Sequence, residues 1–439
     1  MTLLVISPDY ASHLLPLATL ATAWSERGQR VVVATGPSTA GIVDSFGFER
    51  VGLQLGRGSN PGIISADDQP DDEADSLRGF FAATREGMIP TLAFQARERL
   101  TDLMWDPVAA GTSTLRIVEE VRPDAILIDH LAFSARLALS VAGLDFADVV
   151  LGHPSALPRG GELYGLPPGW PAAFRPRRRH LEELRELCAR VSANFTREWN
   201  DTARALDADA RLSTAAFSEH GPRVFYNYPE QLARGTVPGA VFLGSTRREE
   251  PPDQEADEWL ADAGPFVYVS FGSFLSVRDD VLRRVCDALR SSGAQAAITT
   301  GSTSPGALGP LPKDWLVRPH LPQVRMLGAA AAAVTHGGNN SVTEALGAGV
   351  PLLVLPFSTD QFAGAAAIES ARVGVALAPN DVTVAELGEA LEALLSRTAI
   401  DEDLLARIVA DQRAESGPER AYRSLMSDVI AAASPEAAR

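Results

Sequence analysis

Leu3-Leu4-Val5-Ile6-Ser7, a stretch from His13 to Gly28 with apolar residues at Leu14, Leu17, Ala18, Ala21 and Trp24, and then Arg30-Val31-Val32-Val33-Ala34-Thr35 decide the fold. The two short apolar runs read as buried strands. Between them the apolar residues recur at helical spacing until Gly28 stops the helix. A buried strand, an amphipathic helix and a second buried strand imply a right-handed crossover and a parallel sheet covered on both faces.

Outward from there the pattern continues with a helix near Leu115 to Val121, a strand over Ala125 to Asp129, a helix over about 132–142 and a strand near 147–151. The first fifty residues read as strand, helix, strand, helix, strand, and a long insertion separates that third strand from the fourth, at Ala125 to Asp129. Residues 56–75 are rich in Gly, Asp and Pro, and 77–105 read as helical; an insertion of this size in a compact domain is usually functional or disordered. From Pro229 to Gly264 the composition shifts toward proline and acidic residues, which marks a linker. The alternation then restarts with strand Phe266–Phe271, helix 278–292, strand 294–299, strand 315–318 and strand Ala332–Thr335. Helix 340–347, strand 352–355, helix 361–371 and strand 375–377 follow. Two successive Rossmann-like halves predict a cleft between them, with ligands at the carboxyl ends of the strands.

Composition excludes several partners. Among the 439 residues, 56 Asp and Glu outweigh 39 Lys and Arg, for a net charge of −17. That opposes sequence-independent binding to nucleic acid and stable association with anionic membranes. The two cysteines, Cys188 and Cys286, sit in helical-looking stretches and indicate neither a metal cluster nor a disulfide framework. No basic leader precedes Leu3, and no uninterrupted apolar run of about 18 residues occurs. A cytoplasmic protein without a membrane span is the expectation.

The chemistry concentrates in Thr335-His336-Gly337-Gly338-Asn339-Asn340-Ser341-Val342-Thr343-Glu344. This run leaves an apolar strand and opens a helix. Its glycines let a phosphate approach the backbone, and the helix N-terminus offers free N–H groups and a positive dipole end. His336 and Ser341 add side-chain donors, while Glu344, one turn into the helix, can accept from both hydroxyls of a ribose. Gly349-Val350-Pro351 leads into the next strand, and Asp360-Gln361 follows its end, where a carboxylate and an amide can bind sugar hydroxyls.

At these residues the chain resembles the UDP-dependent glycosyltransferases of the GT-B fold, including the plant, bacterial and macrolide natural-product enzymes. The resemblance rests on His320-Leu321-Pro322-Gln323, the His336 to Glu344 run, Gly349-Val350-Pro351 and Asp360-Gln361, in that spacing, and extends more weakly over nearly the whole chain. It implies an acceptor-binding domain over residues 1–240 and a nucleotide-sugar-binding domain over 255–415. These are joined by a linker at about 241–254, with a final helix over 417–433 crossing back onto the first domain. It further implies that Gln323 contacts the uracil edge, that Ser273, His336, Gly338, Asn340 and Ser341 hold the diphosphate, and that Glu344 binds ribose. Asp360 and Gln361 would hold the transferred sugar. His320 stands where the family usually has a tryptophan stacked on the base, and Asn339 replaces a bulkier residue beside the sugar.

Transfer to a hydroxyl needs a group that takes its proton, and histidine suits this near neutral pH. His13 follows the first strand and starts a helix, whose dipole disfavours the imidazolium. The family's His-x-x-Pro appears as His13-Leu14-Leu15-Pro16, with Ser12 in place of the usual preceding glycine. Asp129, at the end of the fourth strand, is the partner that the resemblance assigns to it. The implied reaction is an inverting, metal-independent transfer of a hexose, glucose first, from a UDP-sugar to a hydroxyl of a hydrophobic small molecule, with no cofactor. Acceptor-lining candidates are Phe80, Phe81, Phe94, Trp105, His153 and Tyr164. A monomer or homodimer fits. Competing readings are a catalytically silent small-molecule-binding protein of the same fold and a lipid-linked sugar transferase. A nicotinamide dehydrogenase is disfavoured because no Gly-x-Gly-x-x-Gly follows the first strand.

Overall fold

The computed structural model describes residues 1–62, 71–100, 103–235, 237–272 and 275–433. In the first half β1 (Thr2–Ile6), α1 (Ala11–Ser25), β2 (Arg30–Thr35), α2 (Ala40–Ser45) and β3 (Glu49–Gly52) alternate, and the inserted α3 (Asp71–Glu86) and α4 (Met88–Glu98) follow. Alternation resumes with α5 (Pro107–Val121), β4 (Ala125–Asp129), α6 (Phe133–Val141) and β5 (Ala147–Val150). The half ends with α7 (Arg178–Leu206), β6 (Arg223–Tyr226) and β7 (Val241–Phe242). The strands are short and rich in Val and Ile because both faces of the sheet are covered, and their register is wholly parallel, Leu3 standing beside Val31 on one side and Ala125 on the other.

The second half comprises α8 (Gln254–Asp262), β8 (Phe266–Ser270), α9 (Asp279–Ser292), β9 (Gln295–Thr299), β10 (Leu316–Arg318), α10 (Gln323–Leu327) and β11 (Ala332–Thr335). It continues through α11 (Asn339–Gly347), β12 (Leu352–Val354), α12 (Gln361–Ala371), β13 (Gly374–Ala376), α13 (Val384–Leu395), α14 (Glu402–Ala414) and α15 (Gly417–Ala433). The sheet orders are β3-β2-β1-β4-β5-β6-β7 and β10-β9-β8-β11-β12-β13. Each is doubly wound and reverses direction once, between β1 and β4 in the first and between β8 and β11 in the second. In such sheets the crevice outside the strand ends at the reversal is where ligands bind. The two Rossmann-like sheets of the expected GT-B architecture are thus both present.

Two local expectations need correction. The helical stretch expected over 77–105 is two helices, broken at Gly87, whose φ of 114° is a conformation that glycine adopts readily. The linker expected at about 241–254 is not all coil, since Val241–Phe242 pairs with Phe225–Tyr226 as the last strand of the first sheet. The segment 178–206 forms one long helix whose Leu184, Leu187, Val191, Phe195 and Trp199 are buried on one face.

The halves are joined by more than chain connectivity. Thr84 and Arg85 lie in the last turn of α3, and the Asn380 amide donates to both of their carbonyls at 2.9 and 3.0 Å. Arg278 is 1% exposed; it donates to the Thr84 carbonyl, to the Asn380 side-chain oxygen and, in a fork, to both oxygens of Asp280. A helix end leaves unpaired carbonyls, and here the second domain caps those of an insertion from the first. The last helix crosses back: Arg27 holds Glu419 bidentately at 2.9 and 2.7 Å, Gln29 donates to the Tyr422 hydroxyl, and Trp24 packs edge-on against the Tyr422 ring. Arg278→Met should lower unfolding free energy by about 3–5 kcal/mol, since it removes a buried charge that several acceptors depend on. Urea denaturation measures this, and a loss below about 1 kcal/mol would contradict the role assigned to Arg278.

Candidate active site

Both reversal points open onto one cleft. Its volume is ≈ 1840 Å³, larger than the roughly 300–1,000 Å³ of an ordinary small-molecule site, and room enough for two ligands. The segment after β1, residues 8–13, which runs into the first turn of α1, lines one wall, and the His336–Ser341 run after β11 lines the other.

His13 lies in the first turn of α1, and its Nδ1 is 2.7 Å from Asp129 Oδ2. Asp129 is completely buried at the end of β4. It also accepts the Leu131 N–H through Oδ1 at 2.8 Å, and His130 Nδ1 lies 3.4 Å from that same oxygen. Burial alone would favour the neutral acid, but the charge and hydrogen bond of His13, with those of His130, hold the Asp129 carboxyl far below the usual carboxylate range. Burial likewise works against a charged His13. The charge and hydrogen bond of Asp129, helped by Asp360, outweigh it and raise the imidazole above its ordinary value. The His13 side chain keeps 20% exposure and lines the cleft.

Across the cleft, His336 sits between two glycines. A Cβ on Gly338 would come 2.4 Å from its Nε2, and one on Gly272 2.7 Å from its Cε1. These glycines therefore make room for the imidazole, a reason beyond the phosphate access expected of Gly338. Burial pushes His336 down to about 4, so the ring is neutral near pH 7 and acts as an uncharged donor or acceptor. Asn340 donates to the Ser12 carbonyl at 3.0 Å, tying the glycine-rich loop to the residue before His13. Asn339 donates to the Asn227 carbonyl at 2.9 Å. Ser341 donates to Gln323 Oε1 at 3.3 Å, and Gln323 donates through Nε2 to Glu344 Oε2 at 2.6 Å.

Glu344, expected to face a ribose, has both carboxylate oxygens engaged. Oε2 takes the Gln323 amide, and Oε1 takes Arg248 Nη1 at 2.6 Å. It is 5% exposed and lies behind the residues that line the cleft. Its carboxyl is raised, because burial outweighs the opposing charge of Arg248. Sequence reading missed Arg248, which hid in the charged run Arg247-Arg248-Glu249-Glu250; no local pattern distinguishes a cleft arginine from a solvated one. Glu250, in the same run, accepts from Arg248 and from the Val324 and Arg325 N–H groups at the start of α10.

Asp360 and Gln361 also line the cleft, with partners in place. Asp360 accepts the His153 N–H at 2.9 Å through Oδ2, an approach that requires Gly152, where a Cβ would stand 2.5 Å from that oxygen. Gln361 Oε1 accepts the Phe357 and Ser358 N–H groups at 3.0 and 3.2 Å, fixing the turn into α12. His320 reaches the cleft from the loop after β10. Ser273 lies outside the described residues.

Of the acceptor candidates, Trp105 and Tyr164 line the cleft. Phe80 and Phe81 do not: they are 7% and 8% exposed and pack into the core shared with the second domain, because α3 docks there. Phe94 packs against the same core, and its ring fills the space that a Cβ on Gly79 would take. His153 lies off the cleft, its Nδ1 paired with Ser155 Oγ and its ring against Tyr228. Among the described residues, no group of three or more His, Cys, Asp or Glu could hold a metal ion, and no helix is long and apolar enough to cross a membrane.

The packing around His336 is testable. Gly338→Ala should cost about 1–3 kcal/mol of stability, because the imidazole it would displace is blocked on the other side by Gly272. Gly364→Ala, inside α12 where a Cβ meets nothing within 4 Å, should gain about 0.5–1 kcal/mol. Equal effects of the two substitutions in urea melts would remove the steric explanation.

The model of the family described as UDP-glucoronosyl and UDP-glucosyl transferase matches residues 189–416. Over 201 residues the chain is 31% identical to the NDP-glycosyltransferase YjiC of Bacillus subtilis, covering 44% of this chain and 50% of that protein. It thus spans about half the length of this curated relative. Over 434 residues it is 26% identical to the demethyllactenocin mycarosyltransferase of Streptomyces fradiae, covering 96% of this chain and 84% of that one. Among solved structures, the calicheamicin glycosyltransferase CalG4 superposes with a TM-score of 0.67 at 19% identity, over 99% of both chains. The spinosyn rhamnosyltransferase SpnG, solved with thymidine diphosphate, does so with a TM-score of 0.67 at 18% identity, over 97% of this chain and 100% of that one. The structural likenesses establish the fold, and the family match, spanning the donor loop and more than half of the sequence, establishes that this chain belongs to the UDP-glucuronosyl and UDP-glucosyl transferase family.

Proposed function

We propose that this chain transfers a hexose, glucose first, from a UDP-sugar to a hydroxyl of a hydrophobic small-molecule natural product, with inversion at the anomeric carbon and without a metal. The observation that carries this reading is the His13–Asp129 pair at 2.7 Å, on the wall of a two-ligand cleft facing the glycine-rich loop at the start of α11. An ionised Asp129 takes the Nδ1 proton of His13 as a hydrogen bond and leaves the Nε2 lone pair free to receive the acceptor's proton. As the acceptor oxygen bonds to the anomeric carbon, the bond to the diphosphate breaks, and the proton passes to Nε2. The imidazolium so formed is stabilised by Asp129. The departing diphosphate is met by the N–H groups and positive dipole end of α11, with neutral His336 donating one further hydrogen bond.

The donor's nucleoside is assigned to the Gln323–Glu344–Arg248 corner and its sugar to Asp360 and Gln361. Family membership and the donor-loop spacing support both assignments. Incubation with UDP-glucose and a panel of phenolic, macrolide and amine-bearing acceptors, followed by mass spectrometry, should give a hexose mass increment on at least one acceptor. No conjugate and no UDP release with any nucleotide sugar would overturn the proposal in favour of a silent binder.

The base assignment has its own signature. His13→Ala should lower kcat by about 10²–10⁴ while UDP binding by calorimetry stays near wild type. His13 must be neutral to accept a proton, and its pKa is raised above 6.5, so kcat/KM should fall as pH drops through a value above 6.5. Asp129→Asn removes the main group that raises it and leaves burial, which lowers it, opposed only by the smaller effect of Asp360, so the acid limb should move to lower pH with a large loss of rate. An unmoved limb would assign it to another group.

A further inference from the structure

The cleft wall carries two arginines that the proposed transfer does not use, Arg57 and Arg99, and Arg99 is the one seated on an aromatic ring. Arg99 follows the last residue of α4 and lines the first-domain side of the cleft, near Leu103, Trp105 and Tyr164. Its guanidinium carbon lies 4.9 Å from the centre of the Tyr164 ring, which is itself stacked on Phe217 at 4.0 Å. Gly165 makes this seat possible. It has a φ of 83°, and a Cβ there would come 2.5 Å from Arg99 Nη1.

Among the described residues no carboxylate answers this charge: Arg99 makes no ion pair, and its Nη1 is buried without a hydrogen-bond partner. Three other interior arginines do have one: Arg136 pairs with Asp148, Arg248 with Glu344 and Arg278 with Asp280. Glu98, adjacent in sequence and also on the cleft, accepts from Ser76 Oγ at 2.6 Å. A half-buried guanidinium that none of the described carboxylates meets costs stability until an anion arrives. The end of α4 favours a cation at this position but gives the guanidinium no acceptor. An arginine held against an aromatic ring on the wall of a cavity is suited to recognition of a carboxylate.

We infer that the acceptor carries a carboxylate, and that Arg99, seated on Tyr164 and Gly165, is the residue that selects it. This rests on the reading of the first-domain side of the cleft as the acceptor site. The carboxylate would pair with the guanidinium while the apolar body of the acceptor fills the space toward Leu103 and Trp105, leaving a hydroxyl to approach His13.

Calorimetric binding in the presence of UDP tests this without turnover. The probes are 6-hydroxy-2-naphthoic acid and chenodeoxycholic acid, each with its primary amide. Wild type should bind at least one acid about 30-fold more tightly than its amide, the range of a charge-assisted hydrogen-bonded pair. Arg99→Met should bring that ratio near one, and Arg99→Lys should restore part of it. A wild-type ratio near one, a ratio that survives Arg99→Met, or binding of neither acid would overturn the inference. The acid-to-amide ratio reads only acceptor selection. Hexose transfer to the uncharged panel reads the proposed reaction, so either result can fail while the other stands.

Discussion

A carboxylate with no solvent exposure at the end of a central parallel strand has to be answered by donors, and much of the site follows from how Asp129 is answered. One oxygen takes the Leu131 N–H, which turns the chain into α6, and the other takes His13 from the start of α1. Two loops on either side of the sheet's reversal point are thereby fixed against each other. Asn340 extends the linkage across the cleft to the Ser12 carbonyl, so the glycine-rich loop of the second domain is positioned relative to the same histidine. Burial, which would otherwise neutralise the acid, here makes the pairing stronger, because the low-dielectric surroundings that penalise an unpaired charge also reduce its screening.

The second domain is organised by a similar economy of donors. Gln323, Ser341, Glu344 and Arg248 form one chain of contacts between α10, α11 and the segment joining the domains. Glu250 anchors that segment by accepting the first N–H groups of α10, which a helix of five residues cannot satisfy internally. The connection between domains is therefore part of the ligand-facing wall, and movement of one domain relative to the other passes through residues that touch Glu344.

Much of this was legible from the sequence where a single physical cause acts locally. Strands over Arg30–Thr35, Ala125–Asp129 and Ala332–Thr335, and the helix Gln361–Ala371, fall where apolar runs or helical periodicity place them, because burial on both faces of a parallel sheet leaves little choice of residue. His13 and Asp129 were legible only through resemblance, since 116 residues separate them and no spacing argument joins them. Arg248 and Arg99 were not read at all. Their surroundings come from distant segments, and a guanidinium in a charged run looks the same whether it faces water or a cleft. Phe80 and Phe81 were misassigned for the converse reason: an aromatic pair on an amphipathic helix shows that one face is buried, but not which domain buries it. The two-residue strand Val241–Phe242 is too short to show any periodicity.

The return of α15 to the first domain has a consequence for how the chain is made. Ala421, Leu425 and Met426 complete the apolar cluster around Leu14, Leu17 and Trp24, and Glu419 and Tyr422 answer Arg27 and Gln29. During synthesis this face of α1 waits, uncovered, until the whole of the second domain has left the ribosome. The first domain is the earlier to be translated but not the earlier to be finished, so the usual order of domain-by-domain maturation from the N-terminus is inverted at its final step. The second sheet, whose strands all lie between residues 266 and 376, is complete in sequence before that last helix emerges.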